Sequence, residues 1–338
     1  MKIRAATLDD LLHEVFRRLI KSGKLTDPSK GKALEATGCV LELTNPRARM
    51  SRTEARCILF TCLGEWLWYL SGSNEFSFVQ YYVPQYEPDR PGASTVRAAY
   101  GPRLKNKGRD QLKWVSELIK LKPETRRAVI PIYQPIDTYT RLPEVPCTCT
   151  LQFLLRRGRL EMLTHMRSND AYKGLPSDVF AFTMIQEIVA RSLGAEIGSY
   201  KHSVGSLHLY ESDQRKAQRY LDEGWQQRLA MPIMPPGTQT ANIEELLRIE
   251  YELRNGRAVP IPKKLPTYWQ DLATLLKIYR ADRNNAKIRE LSNLRKQMHS
   301  DVYSPYIEKR QKKAQDREQI GIPDTAPELF PGGIDEER

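Results

Sequence analysis

Leu8, Leu11, Leu12, Val15, Phe16 and Leu19 recur at spacings of three and four, which makes one face of a helix apolar. Thr7 precedes them as an N-cap hydroxyl, Asp9 and Asp10 fall in the first turn, and Gly23 closes the segment. Residues 24–50 are mixed, with a strand-like stretch at 39–43. A second helix is predicted over 53–70, rich in apolar and aromatic residues and therefore buried. Residues 83–102 hold Pro, Gly and Tyr and read as loop. Residues 111–120 are again amphipathic. Then the period shortens. Residues 128–133 read as a strand, and 151–155 and 160–165 flank Arg156-Arg157-Gly158-Arg159, a hairpin signal. A largely apolar helix over 178–193 ends at Gly194, and 200–210 is extended. Strands mixed with buried helices imply an α+β domain.

Past residue 228 the pattern shifts. Residues 231–237, with three prolines and a glycine, form a connector. Residues 242–255 and 267–280 are amphipathic helices around a Pro- and Lys-rich linker at 256–266. Residues 282–315 are helical but polar. This divides the chain into a core at 1–228, a helical region at 229–315 and an acidic, flexible tail at 316–338.

Composition narrows the class. The 338 residues are 40% hydrophobic and 28% charged, with five cysteines. That suits a globular chain with a full core and excludes a disulfide scaffold. No apolar run approaches the ~20 residues that span a bilayer, and no secretory leader is expected, so the expected location is cytoplasmic. Net charge is +12, and residues 1–276 carry +10 of it, so the excess is not confined to a basic tail. Distributed positive charge suits an anionic substrate such as a nucleotide, and also nucleic acid.

The chemistry concentrates downstream. Cys147 lies in Pro146-Cys147-Thr148-Cys149 at a loop-to-strand junction, where a thiol can be exposed and reactive. No second Cys/His pair stands at zinc-site spacing, so no metal site is expected. Arg167-Ser168-Asn169-Asp170 follows a strand, and Arg beside a hydroxyl makes a phosphate clamp. Gly174-Leu175-Pro176-Ser177-Asp178 opens a helix, where an acid can also be a plain cap.

With Glu65-Trp66-Leu67-Trp68-Tyr69-Leu70, Tyr100-Gly101, Thr125-Arg126-Arg127 and Gly205-Ser206-Leu207-His208-Leu209-Tyr210, these motifs stand in an order that resembles the thymidylate synthase family, including its pyrimidine nucleotide hydroxymethylase branch. The resemblance runs over about residues 50–215. It implies a three-layer α+β fold with a central mixed sheet, to which this chain adds a divergent helical C-terminal extension. It implies a homodimer with sheets packed back to back, a pyrimidine nucleoside 5′-monophosphate substrate and 5,10-methylenetetrahydrofolate as cofactor. By the same resemblance Cys147 is the nucleophile, and Arg167 and Ser168 bind phosphate. Arg126 and Arg127 reach the other subunit's phosphate. His208 and Tyr210 hold the sugar 3′-hydroxyl. Asp170 lies near base and folate, Glu65 manages protons through water, and Tyr100 belongs to the proton-transfer network. Gly174 and Tyr86 fall beside the folate, and Lys30 stands in for an upstream phosphate arginine.

Departures from the family pattern choose a branch. Thymidylate synthases carry asparagine where this chain has Asp178. An amide returns a donor and an acceptor to uracil, whereas a carboxyl sharing a proton with N3 matches cytosine. The residue before it is Ser177, where the synthases carry phenylalanine. Thr148 replaces a histidine, Met166 a glutamine, and Tyr86 and Asp89 fall where two tryptophans line the folate pocket. Tyr86 in place of tryptophan predicts a wetter pocket, which favours hydroxymethyl over methyl transfer. The expected activity is C5-hydroxymethylation of dCMP, with CMP as the alternative sugar, through a Cys147 adduct at C6. The alternatives are C5-methyl transfer to dUMP or dCMP, and an inactive nucleotide- or RNA-binding protein on the same scaffold. The family ends in a short apolar tail that closes over the folate, and the acidic end Gly332-Gly333-Ile334-Asp335-Glu336-Glu337-Arg338 is not expected to act as the same lid. The helices past 228 are therefore expected to be an insertion of another kind, a different cover or a dimerisation element.

Overall fold

In the computed structural model the described residues are 1–28, 31–86, 92–106, 108–139 and 144–320. The elements begin with β1 (Lys2–Ala5), α1 (Leu8–Ser22), β2 (Lys24–Thr26), β3 (Ala33–Leu43), α2 (Leu59–Ser71), α3 (Phe76–Tyr82) and α4 (Gly101–Leu104). A short hairpin of β4 (Lys105–Asn106) and β5 (Arg109–Asp110) leads into α5 (Gln111–Leu121), β6 (Val129–Pro131) and α6 (Pro135–Tyr139). Then come β7 (Thr148–Arg156), β8 (Arg159–Asp170), α7 (Gly174–Ser192), β9 (Glu196–Tyr210) and α8 (Glu211–Asp222). The chain continues through α9 (Thr240–Arg254), α10 (Thr267–Arg283), α11 (Ile288–Arg295) and α12 (Ser304–Ile320).

A mixed sheet orders its strands β1-β3-β9-β8-β7-β6, with β2 also on β3. The long strands β3, β9, β8 and β7 form its centre; β8 pairs parallel with β9 and β1 parallel with β3, and the other pairs are antiparallel. The β7–β8 turn pairs Arg156 with Arg159, which leaves Arg157 and Gly158 as a two-residue loop, both at positive φ. Such turns match the twist of the strands they join, and glycine takes the second position without strain. Helices α1 and α7 lie on the sheet, and α2 packs on α7 from outside, giving three layers. The α+β expectation holds.

Thr7 caps α1 as its sequence implies, accepting from Asp10 N at 3.0 Å. The helix expected over 53–70 begins only at Leu59. Residues 53–56 are held as a separate turn: Glu54 N and Ala55 N donate to the Glu223 carboxylate of α8, and Arg56 N donates to Thr53 Oγ1. A tertiary carboxylate thus holds the two backbone donors of this turn.

The helical region past residue 228 shares the core. Trp269 of α10 stacks on Trp66 of α2, and Tyr279 stacks on Phe60 and Tyr82. The predicted helices at 242–255 and 267–280 appear as α9 and α10. The polar stretch 282–315 breaks into α11 and α12, and α12 runs across residue 315 to Ile320. The tail's remaining residues, 321–338, lie outside the described residues.

Candidate active site

A cavity of about 760 Å³ opens where the C-terminal ends of β8 and β9, the start of α7 and the loop before β7 converge. Cys147 sits on its wall, half-buried, in the turn entering β7. Arg167 at the end of β8 fixes that turn. Its backbone N donates to Cys147 O at 2.8 Å, its Nε to Pro146 O at 3.0 Å and its Nη2 to Val145 O at 3.0 Å. Nη2 also lies 3.7 Å from Cys147 Sγ. A guanidinium at that distance favours a thiolate, the form that attacks carbon.

Tyr100 closes the turn from the other side. Its hydroxyl accepts from Thr148 N at 3.3 Å and Thr148 Oγ1 at 3.1 Å. Burial, with the charges of Asp178 and Cys147, pushes the phenol far above its ordinary range, so it keeps its proton. The departure at Thr148 thus has a structural consequence: its hydroxyl positions Tyr100.

Two acids face the same space. Burial raises the Glu65 carboxyl on α2, and a hydrogen bond with Ser177 and the Arg56 charge pull it partly back. Asp178, in the second turn of α7, is pushed up to about 8, first by burial, then by repulsion from Glu65. It is 8% exposed and accepts from Asn169 Nδ2 through Oδ2 at 2.8 Å. Asp178 is therefore not a helix cap. It is an acid kept protonated at neutral pH inside a cavity, the kind of perturbation that marks functional sites. A β-carbon on Gly174 would sit 2.9 Å from Asn169 Nδ2 and 3.5 Å from Asp178 Oδ2, so the glycine leaves room for that bond.

The remaining expected residues distribute as follows. Ser168, His208 and Tyr210 line the cavity, the last two as an edge-to-face pair 4.9 Å apart. Asp170 lines it too, but its Oδ1 accepts from Tyr172 N at 2.8 Å and Lys173 N at 2.9 Å, so it also builds the turn into α7. Tyr86 lies edge-on to Trp68 at 6.1 Å and donates to Glu144 Oε1 at 3.1 Å. Arg126 and Arg127 are exposed and are not among the residues lining this cavity. Lys30 and Asp89 lie outside the described residues. None of the described residues past 228 lines the cavity, so the helical extension does not cover it there.

Several contributors were missed by the sequence reasoning. Trp68 and Tyr69 form an aromatic wall beside Tyr86. Glu35 at the mouth accepts from Ser206 Oγ. Asn169 and His202 form a buried hydrogen-bonded pair at 3.1 Å behind Asp178. His202 had a signal: six residues before His208 on one strand, it falls on the same face. Among the described residues no cluster of acids, histidines and cysteines could hold a metal.

The space is large enough for a ligand of cofactor size. The volume lies within the range of cofactor sites, which are apolar-walled with few polar groups. Here Trp68, Tyr69 and Tyr86 offer flat faces next to the polar corner of Cys147, Asn169 and Asp178.

Comparison with known proteins gives the same direction. The thymidylate synthase family profile matches residues 17–260. A deoxyuridylate hydroxymethyltransferase of Bacillus phage SP01 is 32% identical over 222 residues, which cover 60% of this chain and 57% of the relative. A thymidylate synthase of Bacillus licheniformis is 29% identical over 152 residues, covering 43% of this chain and 54% of the relative. The chain spans a little over half the length of these curated relatives.

Proposed function

The chain belongs to the thymidylate synthase family, and from that premise we propose that it is a folate-dependent C5-hydroxymethylase of a cytosine nucleoside 5′-monophosphate, dCMP before CMP. The observation that carries the choice of base is Asp178. It is a carboxyl held neutral up to about pH 8 where uracil-directed synthases carry an amide. A neutral carboxyl can donate to N3 of cytosine, and the shared proton draws electrons from the ring.

The residues divide the work. Cys147 Sγ adds to C6 of the pyrimidine, which turns C5 into an enamine-like nucleophile. Arg167 places its guanidinium 3.7 Å from that sulfur. Arg167 and Ser168 hold the 5′-phosphate, and His208 and Tyr210 the 3′-hydroxyl. Methylenetetrahydrofolate supplies, when bound, a one-carbon unit at the oxidation level of formaldehyde; Tyr86, Asp170 and Gly174 border its place. Tyr100 serves the transfer of the C5 proton, and Glu65 directs the water that completes the hydroxymethyl group. Cys147 Sγ then leaves as the C5–C6 double bond re-forms. The polar pair of Tyr86 and Glu144 beside the aromatic wall suits admission of that water.

The working unit is a homodimer in which Arg126 and Arg127 reach the partner's phosphate, which accords with their exposure outside their own cavity. The open sheet face carries Glu161, His165, Lys201 and Ser203, a polar surface paired within itself. Hydroxymethylation of dUMP is the second reading, favoured by the phage relative's activity.

The test is release of tritium from [5-³H]-labelled CMP, dCMP, UMP and dUMP in the presence of methylenetetrahydrofolate, with product masses read in parallel. Release from dCMP with a gain of one CH₂O unit supports the proposal. Release only from dUMP overturns the reading of Asp178, and a gain of CH₂ overturns hydroxymethylation. No release from any of the four returns the chain to a binding role.

A further inference from the structure

A protonated carboxyl does not by itself distinguish cytosine from uracil. With the proton on the oxygen facing N3, it donates to cytosine N3. With the proton on its other oxygen, it accepts from uracil N3–H instead. Discrimination therefore requires something that decides which oxygen carries the proton.

Behind Asp178 the structure holds a directional chain of neutral groups. His202 is fully buried on β9, and burial drives its imidazole down to about 3, so it carries one ring proton. Its Nδ1 faces the Tyr200 hydroxyl at 2.7 Å, and its Nε2 faces Asn169 Oδ1 at 3.1 Å. The Tyr200 phenol keeps its proton, because burial raises it well above its ordinary range. The phenol donates to Nδ1, which places the ring proton on Nε2, where it donates to Asn169 Oδ1. That contact fixes the amide orientation: the carbonyl turns to His202 and the NH₂ to Asp178. Asn169 Nδ2 then donates to Asp178 Oδ2 at 2.8 Å. All four side chains are nearly or fully buried, at 0, 0, 3 and 8% exposure, so no solvent competes for these bonds.

We propose that Asn169, oriented by His202 and Tyr200, is the specificity-determining residue of the site: by donating to Asp178 Oδ2 it confines the carboxyl proton to Oδ1, the oxygen left to meet the pyrimidine ring, and so selects cytosine over uracil. This rests on Asp178 being the base-reading residue, as argued above. An oxygen that already carries a proton is a poor acceptor, so a proton on Oδ2 would set two donors against each other. Asn169, His202 and Tyr200 are positioning residues here. They polarise the carboxyl without touching the reacting carbon.

Two substitutions invert or erase the polarity without changing size much. Asn169→Asp keeps an acceptor toward His202 but replaces the donor facing Asp178 with an acceptor. The shared proton then lies on Oδ2, and Oδ1 becomes a bare acceptor suited to uracil N3–H. His202→Leu removes the group that orients the amide, whereas His202→Gln retains a donor that can reach Asn169 Oδ1.

The experiment is equilibrium binding of dCMP and dUMP by calorimetry, without folate, so that it does not depend on turnover. Wild type is expected to favour dCMP. Asn169→Asp should move the dCMP/dUMP affinity ratio toward dUMP by about tenfold or more. His202→Leu should bring the ratio toward one, and His202→Gln should restore most of it. If every variant weakens both nucleotides in proportion, the residues are only structural and the proposal is overturned. A wild-type preference for dUMP overturns it while leaving the pyrimidine site intact. If wild type binds neither nucleotide, the reading of the site fails and this inference with it.

Discussion

Buried acids are given different partners in the cavity wall and in the helices past residue 228. In the cavity, Asp178 is bonded by the Asn169 amide and Glu65 by the Ser177 hydroxyl, both neutral groups. In the helical region, Asp282 is bonded by Arg310 and Arg317, and Glu250 by Arg254 at 2.8 Å. A cationic partner favours the charged carboxylate, yet burial still outweighs Arg254 and raises the Glu250 carboxyl. A neutral partner opposes burial less, so Asp178 holds a proton that chemistry can use. One region packs against α2 with its acids paired to arginines, the other turns its acids into a ligand-sized cavity.

The sharpest way to separate the regions is Cys147→Ala. Turnover should fall by roughly 10⁴-fold or more, the loss typical of a removed nucleophile. Melting should shift by no more than about 1 kcal/mol of stability, because Cys147 is half-buried in a loop. A comparable drop in thermal stability would mean that the wall itself depends on Cys147.

Trp269→Ala tests the other region. Trp269 is fully buried, stacks on Trp66 and donates to Gln239 Oε1 at 3.0 Å. The loss should be about 3–5 kcal/mol in denaturant unfolding, with the preference between dCMP and dUMP unchanged. A changed base preference would show that α2 transmits the buttress to the site.

Asp178→Asn should shift the ratio of kcat/KM for dCMP and dUMP toward dUMP by about 10- to 100-fold. It also tests the cost of the cavity's acids. The folded Asp178 carboxyl titrates at about 8 against an ordinary 3.8, so the folded protein keeps this proton after the unfolded chain has lost it. Its contribution is full below about pH 4 and is lost as the pH rises to about 8. The asparagine variant, which does not titrate, should therefore gain stability relative to wild type over that window, on the order of a few kcal/mol. Thermal melts at pH 5 and pH 8.5 measure it. An equal gap at both pH values would show that burial does not perturb this group.

The smallest effect is expected from Tyr82→Phe. Its hydroxyl donates to Glu250 at 3.0 Å, but Arg254 also bonds that carboxylate. The loss should be about 1 kcal/mol in urea unfolding, with activity unaltered.

Much of this could be read from the chain alone, for a physical reason in each case. The α1 cap and the Arg157-Gly158 turn follow local rules, set by neighbours within a few residues. Cys147, Arg167, Ser168, Asp178, His208 and Tyr210 stood out by residue type and order, and the fold gathers them around one cavity. The late start of α2 could not be read, because the carboxylate that holds residues 54 and 55 comes from Glu223. Nor could the status of Asp178, whose position near a helix start fits a cap equally well.

The sequence by itself determined the periodicities, the turn chemistry and the inventory of reactive groups, since these depend on local sterics and on what each side chain can donate or accept. Only the tertiary structure decided their states. Asp178 holds its proton because burial and then the Glu65 charge disfavour its ionised form, and His202 lacks a second proton because the fold buries it. Desolvation and the bonding of groups 33 residues apart, as between Asn169 and His202, belong to the folded chain and to no segment of it.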